Sequence, residues 1–228
     1  MFASGRAFEI IRNSIGYTGA NVKICATHAG ITVGEDGASH QTFEDMALMR
    51  TIPGMTVINP SDGVSAQKLI EQAVAMEGPC YIRLGRASVP VTYKEEDSLT
   101  IGKGHQIREG KDVSIIATGI MVNEAVIASD MLSSENIDAR VIDIHTIKPI
   151  DRDIIIKAAK ETGGIVTCEE HSVIGGLGSA VAEIVSEEFP VKIQRVGQLD
   201  TFGESGKPEE LKKKYGMTAD DIVRAVKK

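Results

Sequence analysis

The sequence of 228 residues has no tryptophan, only five phenylalanines and four tyrosines, and only three cysteines. Cys25, Cys80 and Cys168 are odd in number, far apart and set in apolar runs. This pattern excludes a disulfide framework or a zinc site and indicates reduced core thiols, so we expect a cytoplasmic protein. No uninterrupted apolar run approaches the roughly 18 residues that span a bilayer, and no apolar signal segment follows Met1. The sequence therefore predicts neither a membrane span nor a secretion signal.

The charge is acidic, with 25 Lys and Arg against 32 Asp and Glu, a net charge of −7. No basic stripe is present that would displace counterions from a phosphate backbone, so nucleic-acid binding is not expected. Hydrophobic residues make up 42% of the chain. This content is enough to bury a core and excludes global disorder.

Short apolar runs alternate with amphipathic segments, which predicts an α/β fold with mainly parallel sheets flanked by helices. A helix is expected from Ser4 towards Gly16, and strands are expected at residues 22–27, 56–58, 81–84, 112–117, 140–144, 165–168 and 191–196. The aperiodic, charged stretch around residues 88–100 indicates a boundary between two domains. We therefore predict domains at residues 1–92 and 111–228, joined by a solvated linker or hairpin at 93–110.

Local signals predict where particular helices begin. Ser61 is the expected cap of the helix that follows Pro60, and Thr218 with Asp221 forms a capping-box pattern near the carboxyl end. Residues 102–109 have the pattern of a hairpin.

The loop from His28 to Gln41 is the segment most suggestive of chemistry. It follows a predicted strand and contains three glycines, two acidic residues and two histidines, His28 and His40. Imidazoles beside a carboxylate suit proton transfer and hydrogen bonding to a polyhydroxylated substrate. From spacing alone, a surface turn whose histidines cap helices is an equally good interpretation, and a metal site is a weaker one.

Two other segments offer anion sites. Arg86 lies at the carboxyl end of the strand at 81–84, where its guanidinium could bind a phosphate or carboxylate, although an ordinary surface arginine fits as well. The run from Glu169 to Ser179 has a glycine-rich turn before a helix. It does not match a dinucleotide or phosphate-loop motif, so we favour a tight packing turn, with His171 a structural histidine.

These segments together resemble the carboxyl-terminal part of a transketolase, and in particular the carboxyl-terminal subunit of the split, two-chain enzymes of prokaryotes. The resemblance covers nearly the whole chain in order. It rests on the loop from Thr27 to Gln41 and on four further motifs, Pro60-Ser61-Asp62, Leu84-Gly85-Arg86, His145 to Asp151 and Glu169 to Ala182.

The resemblance implies a pyrimidine-binding domain followed by a smaller, largely structural domain, and transfer of a two-carbon ketol unit with thiamine diphosphate and Mg²⁺. It makes His28 and His40 catalytic and substrate-contacting, Asp36 a reader of the substrate C2 hydroxyl, Arg86 a phosphate ligand, and Phe2 part of the aromatic patch against the aminopyrimidine. Where many family members have Asp-Ser after the first histidine, this sequence has Ala29-Gly30, so donor preference cannot be transferred.

The family's cofactor-activating glutamate would lie upstream of Phe2, and its Gly-Asp-Gly metal motif is not in this sequence. We therefore expect an incomplete pyrimidine domain. We also expect an amino-terminal partner subunit that carries the diphosphate and metal ligands, a homo- or hetero-oligomer, and no activity from the chain alone. The alternatives are a fragment similar to 1-deoxyxylulose-5-phosphate synthase or to a 2-oxoacid dehydrogenase β subunit, and a non-catalytic assembly or regulatory module.

Overall fold

The computed structural model describes residues 1–228. An amino-terminal helical segment consists of Phe2–Arg6, α1 (Phe8–Ile10) and Ile11–Gly16, as expected. The remaining elements of the first half are β1 (Lys23–Ala26), a 3₁₀ segment (Ile31–Asp36), α2 (Asp45–Thr51), β2 (Thr56–Ile58), α3 (Gly63–Ala75) and β3 (Cys80–Arg83). Those of the second half are β4 (His105–Arg108), β5 (Val113–Ala117), α4 (Met121–Ser134), β6 (Ala139–Asp143), β7 (Thr146–Lys148), α5 (Arg152–Glu161), β8 (Ile165–Ser172), α6 (Leu177–Glu188), β9 (Ile193–Gln198), α7 (Pro208–Lys214) and α8 (Ala219–Val226). None of these helices combines the length and apolar character that crossing a membrane requires.

The first sheet has the strand order β1-β3-β2-β7, in which β1, β3 and β2 are parallel. Its edge strand β7, which the sequence analysis missed, comes from the second half of the chain and pairs antiparallel with β2. Only three residues long, β7 gives too weak an apolar run to be read as a strand. The first sheet therefore crosses the predicted domain boundary.

The second sheet has the order β4-β6-β5-β8-β9, with parallel pairing except between β4 and β6. The predicted hairpin at 102–109 is wrong, because the segment contributes the single strand β4, whose partner β6 lies more than 30 residues further along the chain. Apart from this strand and β7, pairing is parallel, which confirms the α/β fold with mainly parallel sheets.

The two halves pack together through a shared apolar cluster. One buried cluster combines Met46, Met49 and Tyr81 of the first half with Ile116, Ile142, Leu177 and Val181 of the second. Cys80 and Cys168 are buried free thiols as expected, whereas Cys25 is exposed, because it sits on the edge strand β1.

The helix α3 is capped by Asp62 and not by Ser61. The Asp62 carboxylate accepts a hydrogen bond from the Ser65 backbone N–H at 2.8 Å, while Ser61 points its hydroxyl at Asp143. Asp62 also accepts from the backbone N–H groups of Thr92 and Tyr93 at 2.8 and 2.9 Å. The predicted solvated linker is therefore anchored to the first half at its start. The Thr218–Asp221 capping box of α8 is present as predicted.

Asp143, at the end of β6, is a fully buried carboxylate between the two halves. Its Oδ2 accepts hydrogen bonds from the Tyr93 hydroxyl at 2.8 Å and the Ser61 hydroxyl at 3.1 Å, while its Oδ1 has no partner. Burial raises the pKa of Asp143 to about 7, and the nearby Asp62 carboxylate also raises it, although the two hydroxyls oppose the shift. Folding therefore favours the protonated acid.

We expect Asp143→Asn to stabilise the protein increasingly as the pH rises. The folded chain keeps the Asp143 proton up to a pH of about 7, whereas the unfolded chain releases it near the ordinary carboxyl pKa of 3.8. Stability of the wild type is therefore lost between those pH values, and the amide removes this loss. Urea unfolding at pH 5.5 and 8.5 should show a gain larger by about 2 kcal/mol at the higher pH. Asp130→Asn, at an exposed carboxylate, is the control; equal gains at both pH values would contradict the prediction.

Candidate active site

A cavity of about 420 Å³ opens beside the carboxyl end of β1. The strands β1 and β3 are parallel neighbours with Ala26 opposite Arg83, so the segments that follow them emerge at the same edge of the sheet. Fourteen residues line the cavity: Met1, Phe2, Ala3, Ser4, Cys25, Ala26, Thr27, His28, Ala29, Val33, Asp36, His40, Thr42 and Tyr81. Four of the five predicted site residues, Phe2, His28, Asp36 and His40, are among them.

His28 occupies an unusual backbone conformation for a residue with a side chain. Its φ is +64°, in the left-handed region. This turn ends β1 and sends the chain sideways across the sheet edge, and the His28 Nδ1 lies 3.0 Å from the Thr27 hydroxyl. The imidazole is exposed on the cavity wall, free to meet a ligand.

The loop between the histidines is held in a tight path by its glycines. Gly30, Gly34 and Gly37 have φ values of +82°, +81° and +75°, which side chains rarely adopt. Gly34 breaks the 3₁₀ segment in two, so that Val33 is buried while Asp36 turns out to the cavity. The three glycines of the loop therefore form the tight turns that direct its path.

Phe2 and His40 meet edge to face, with ring centroids 5.1 Å apart. The Arg6 guanidinium lies over the Phe2 ring at 4.6 Å, and the Ser39 hydroxyl lies 3.1 Å from the His40 Nδ1. The amino-terminal helical segment and the loop thus form two adjoining walls of one cavity, which meet at the Phe2–His40 contact.

Arg86 lies outside the lining but touches the loop. Its guanidinium lies 3.6 Å from the Asp36 carboxylate and 3.7 Å from that of Glu35, and it donates a hydrogen bond to the Val33 carbonyl. The side chain is 40% exposed. Arg86 is thus next to the site residue Asp36, with donors that a phosphate could engage.

A buried ion pair lies beneath the cavity. The Asp45 Oδ2 accepts hydrogen bonds from the Arg83 Nε and the Tyr81 hydroxyl, each at 2.8 Å. Burial alone would raise the pKa of Asp45, but the Arg83 guanidinium, His171 and the hydrogen bonds hold it below its ordinary value. Arg83 also donates from Nη2 to the Glu170 carbonyl at 2.8 Å. Arg83 is therefore a structural partner that links Asp45 of the first half to the backbone of the second half.

The glycine-rich turn before α6 is a packing turn. The Glu169 carboxylate accepts from the backbone N–H groups of Leu177 and Gly178 at 2.7 and 2.8 Å, so this helix terminus is satisfied within the protein. His171 is buried between the halves, its Nδ1 donating to the Ser172 carbonyl at 2.8 Å and its Nε2 accepting from the Ala47 N–H at 3.4 Å. Burial lowers the pKa of His171 to about 4, so it is a neutral structural histidine near pH 7.

Sequence reasoning missed three residues near the loop. Tyr81 lines the cavity, the Gln41 side chain donates to the Glu204 carbonyl at 3.0 Å, and a Glu170 carboxylate oxygen accepts from the Thr32 N–H at 2.7 Å. The predicted strand at 165–168 ends too early, since β8 continues to Ser172. The available signal was the pair Glu169 and Glu170, which directly follows the apolar residues 165–168. Charged residues are rarely buried without partners, so two of them at the end of a buried strand indicate contacts with other parts of the chain.

We expect Arg83→Met to destabilise the chain strongly, because it leaves the Asp45 carboxylate buried without its cation. The free energy of unfolding in urea should fall by about 3–5 kcal/mol. Adding Asp45→Asn to Arg83→Met should recover part of this loss. Arg152→Met, which removes an exposed arginine paired with Glu187 and Glu188, should change the free energy of unfolding far less than Arg83→Met, because water and salt screen an exposed ion pair. A double variant no more stable than Arg83→Met would contradict the role of the unpaired charge.

Family models match both halves of the chain. The model for the transketolase pyrimidine binding domain matches residues 1–92, and the model for the transketolase C-terminal domain matches residues 102–222.

Curated relatives and a solved structure agree with these matches. A 6-deoxy-6-sulfo-D-fructose transketolase subunit SqwH from Clostridium sp. (strain MSTE9) is 46% identical over 98% of this chain and 70% of its own length. Transketolase of Rattus norvegicus is 39% identical over 97% of this chain but only 36% of its own length. A solved structure, "Split gene transketolase, inactive beta4 tetramer", has a TM-score of 0.94 and 53% identity, over 99% of this chain and 72% of that one. The chain belongs to the transketolase family and corresponds to part of the whole enzyme.

Proposed function

We propose that the chain is the carboxyl-terminal subunit of a split transketolase and supplies the sugar-phosphate side of a composite active site. The observation that carries this proposal is the cavity in which Phe2, His28, Asp36 and His40 converge, in a chain of the transketolase family. The reaction is transfer of a two-carbon ketol unit from a ketose phosphate to an aldose. The family relationship favours this function over the synthase-like and dehydrogenase-like alternatives.

The proposed roles follow from what the side chains present to the cavity. The His28 and His40 imidazoles can each donate or accept a hydrogen bond, so they would bind sugar hydroxyls and exchange protons with them. The Asp36 carboxylate only accepts when ionised, so it would bind a hydroxyl as donor and reject an anion at that position. Arg86, 3.6 Å from Asp36, would bind the sugar phosphate at the loop side of the cavity.

The family uses thiamine diphosphate, which when bound supplies the carbon nucleophile and stabilises the negative charge left on the transferred unit. The cavity fits the ring end of this cofactor, because its volume of about 420 Å³ lies within the range of small-molecule sites and the half-exposed Phe2 ring forms one apolar wall. No cluster of three or more His, Cys, Asp or Glu side chains in the chain could hold a metal ion. The proposal therefore places the Mg²⁺ and diphosphate ligands on an amino-terminal partner subunit.

Assembly with a partner is supported by the relatives. The Clostridium protein is called a subunit, and the solved relative is described as an inactive tetramer of one chain type. We propose the same pattern for this chain, an oligomer that is inactive until the diphosphate-binding subunit joins it. A cytoplasmic location and a sugar-phosphate substrate are part of this proposal.

The purified chain with thiamine diphosphate and Mg²⁺ should not turn over xylulose 5-phosphate and ribose 5-phosphate. Addition of an amino-terminal transketolase subunit with a Gly-Asp-Gly motif, to a form of the chain that also carries the family's cofactor-activating glutamate, should restore transfer, because the two together supply the missing cofactor groups. A coupled assay of glyceraldehyde 3-phosphate release checks both results. Turnover by the chain alone would contradict the composite site. Complex formation without transfer would favour the assembly module, and activity with pyruvate as donor would favour the synthase or dehydrogenase alternatives.

In the assembled enzyme, Arg86→Ala should raise KM for a phosphorylated donor by about tenfold, the loss expected for one charge-assisted contact. KM for an unphosphorylated donor such as hydroxypyruvate should change much less, because the guanidinium has no phosphate to bind. Arg108→Ala, at an exposed arginine paired with Asp130 in the second half, is the control. An equal rise in KM for both donors would mean that Arg86 only supports the loop and does not bind the phosphate.

A further inference from the structure

Glu169 and Glu170 are adjacent carboxylates on β8, both almost completely buried, and they point in opposite directions. Glu169 binds the start of α6, within its own half of the chain. Glu170 crosses to the first half, where its Oε1 accepts the Thr32 N–H at 2.7 Å. The two adjacent glutamates thus bind different halves of the chain.

Thr32 lies at the centre of the loop that carries the site residues, four positions after His28 and four before Asp36. Gly30 packs directly on the Glu170 carboxylate, since a Cβ at that position would lie 2.2 Å from its carboxyl carbon. The loop is thus bound by a hydrogen bond and by close contact on either side of Ile31.

The Glu170 backbone is held in place by Arg83. Arg83 donates to the Glu170 carbonyl, and its guanidinium opposes the effect of burial, which raises the pKa of Glu170. Asp45 anchors Arg83 in turn. A rigid chain of contacts therefore runs from the buried ion pair to the backbone of the loop.

We propose that Glu170 is a positioning residue for the sugar substrate, setting the placement of His28 and Asp36 from across the interface between the halves. It does not line the cavity and acts only through the loop. Without its acceptor, the Thr32 N–H is buried and unpaired, and the loop must relax to hydrate it. Small displacements of positioning groups have large kinetic effects. This inference rests on the proposed function for its kinetic part only.

The first test uses the isolated chain and needs no activity. Amide hydrogen exchange at Thr32 and its loop neighbours should accelerate about tenfold in Glu170→Ala. Glu169→Ala is the matched control, since it removes the adjacent buried carboxylate. It should lower thermal stability and expose the amides of Leu177 and Gly178, but leave Thr32 protected. Unchanged Thr32 exchange in Glu170→Ala would overturn the proposal.

The second test uses the enzyme assembled with its amino-terminal subunit. Glu170→Ala should raise KM for the ketose phosphate about tenfold with a smaller change in kcat. Glu170→Gln keeps an acceptor for Thr32 and should restore KM to within about twofold. Glu169→Ala should leave KM unchanged. If all three variants share one KM, the positioning role is overturned; if the wild-type assembly is inactive, the proposed function fails while the exchange result still decides whether Glu170 orders the loop.

Gly30→Ala probes the same contact from the loop side if Glu170→Ala does not fold. Its methyl group would overlap the Glu170 carboxylate and displace the loop. Gly54 has a similar positive φ of +73° and open space around it. Gly54→Ala therefore introduces the same kind of backbone strain but no overlap with a neighbouring side chain. Faster exchange at Thr32 in Gly30→Ala but not in Gly54→Ala supports the proposal, and equal exchange in both overturns it.

Discussion

The buried pair of Asp45 and Arg83 is the interaction on which the arrangement of this molecule depends. Asp45 begins α2, Arg83 ends β3, and the guanidinium also binds the backbone of β8 in the second half. Two charges are removed from water here, which costs several kcal/mol per ion, and hydrogen bonds from other groups offset part of that cost. The Tyr81 hydroxyl donates such a bond to the Asp45 Oδ2 and the Glu170 carbonyl accepts one from Arg83, while the Asp45 Oδ1 has no hydrogen-bond partner. The pair thus specifies one orientation of the halves as well as stabilising it.

Three further features position the cavity above this ion pair. The apolar core joins the sheets, the parallel register of β1 and β3 brings their ends to one edge, and the glycine turns direct the loop across that edge. The exposed side chains of His28, Asp36 and His40 therefore stand on a loop whose residues 29–34 and 37 are buried.

The sequence was sufficient for features that depend on local pattern. Apolar runs predicted most strands, Thr218 with Asp221 predicted a capping box, and the loop residues predicted a cluster that the structure brings together except for Arg86, which lies beside it. Features that depend on tertiary contact were not predictable. Asp62 replaces Ser61 as cap because Ser61 is drawn to Asp143, and β7 is a strand only because β2 offers an edge. Glu170 looked like part of a turn because its partner, Thr32, is 138 residues away.

The strand β7 has a consequence for modularity. Since residues 146–148 of the second half complete the first sheet, the two family domains are separate in sequence but interlocked in space. A fragment that ended between them would expose the edge of β2 as a row of unpaired N–H and C=O groups, the kind of edge that recruits other strands. Chimaeras between relatives would therefore have to exchange β2 and β7 together.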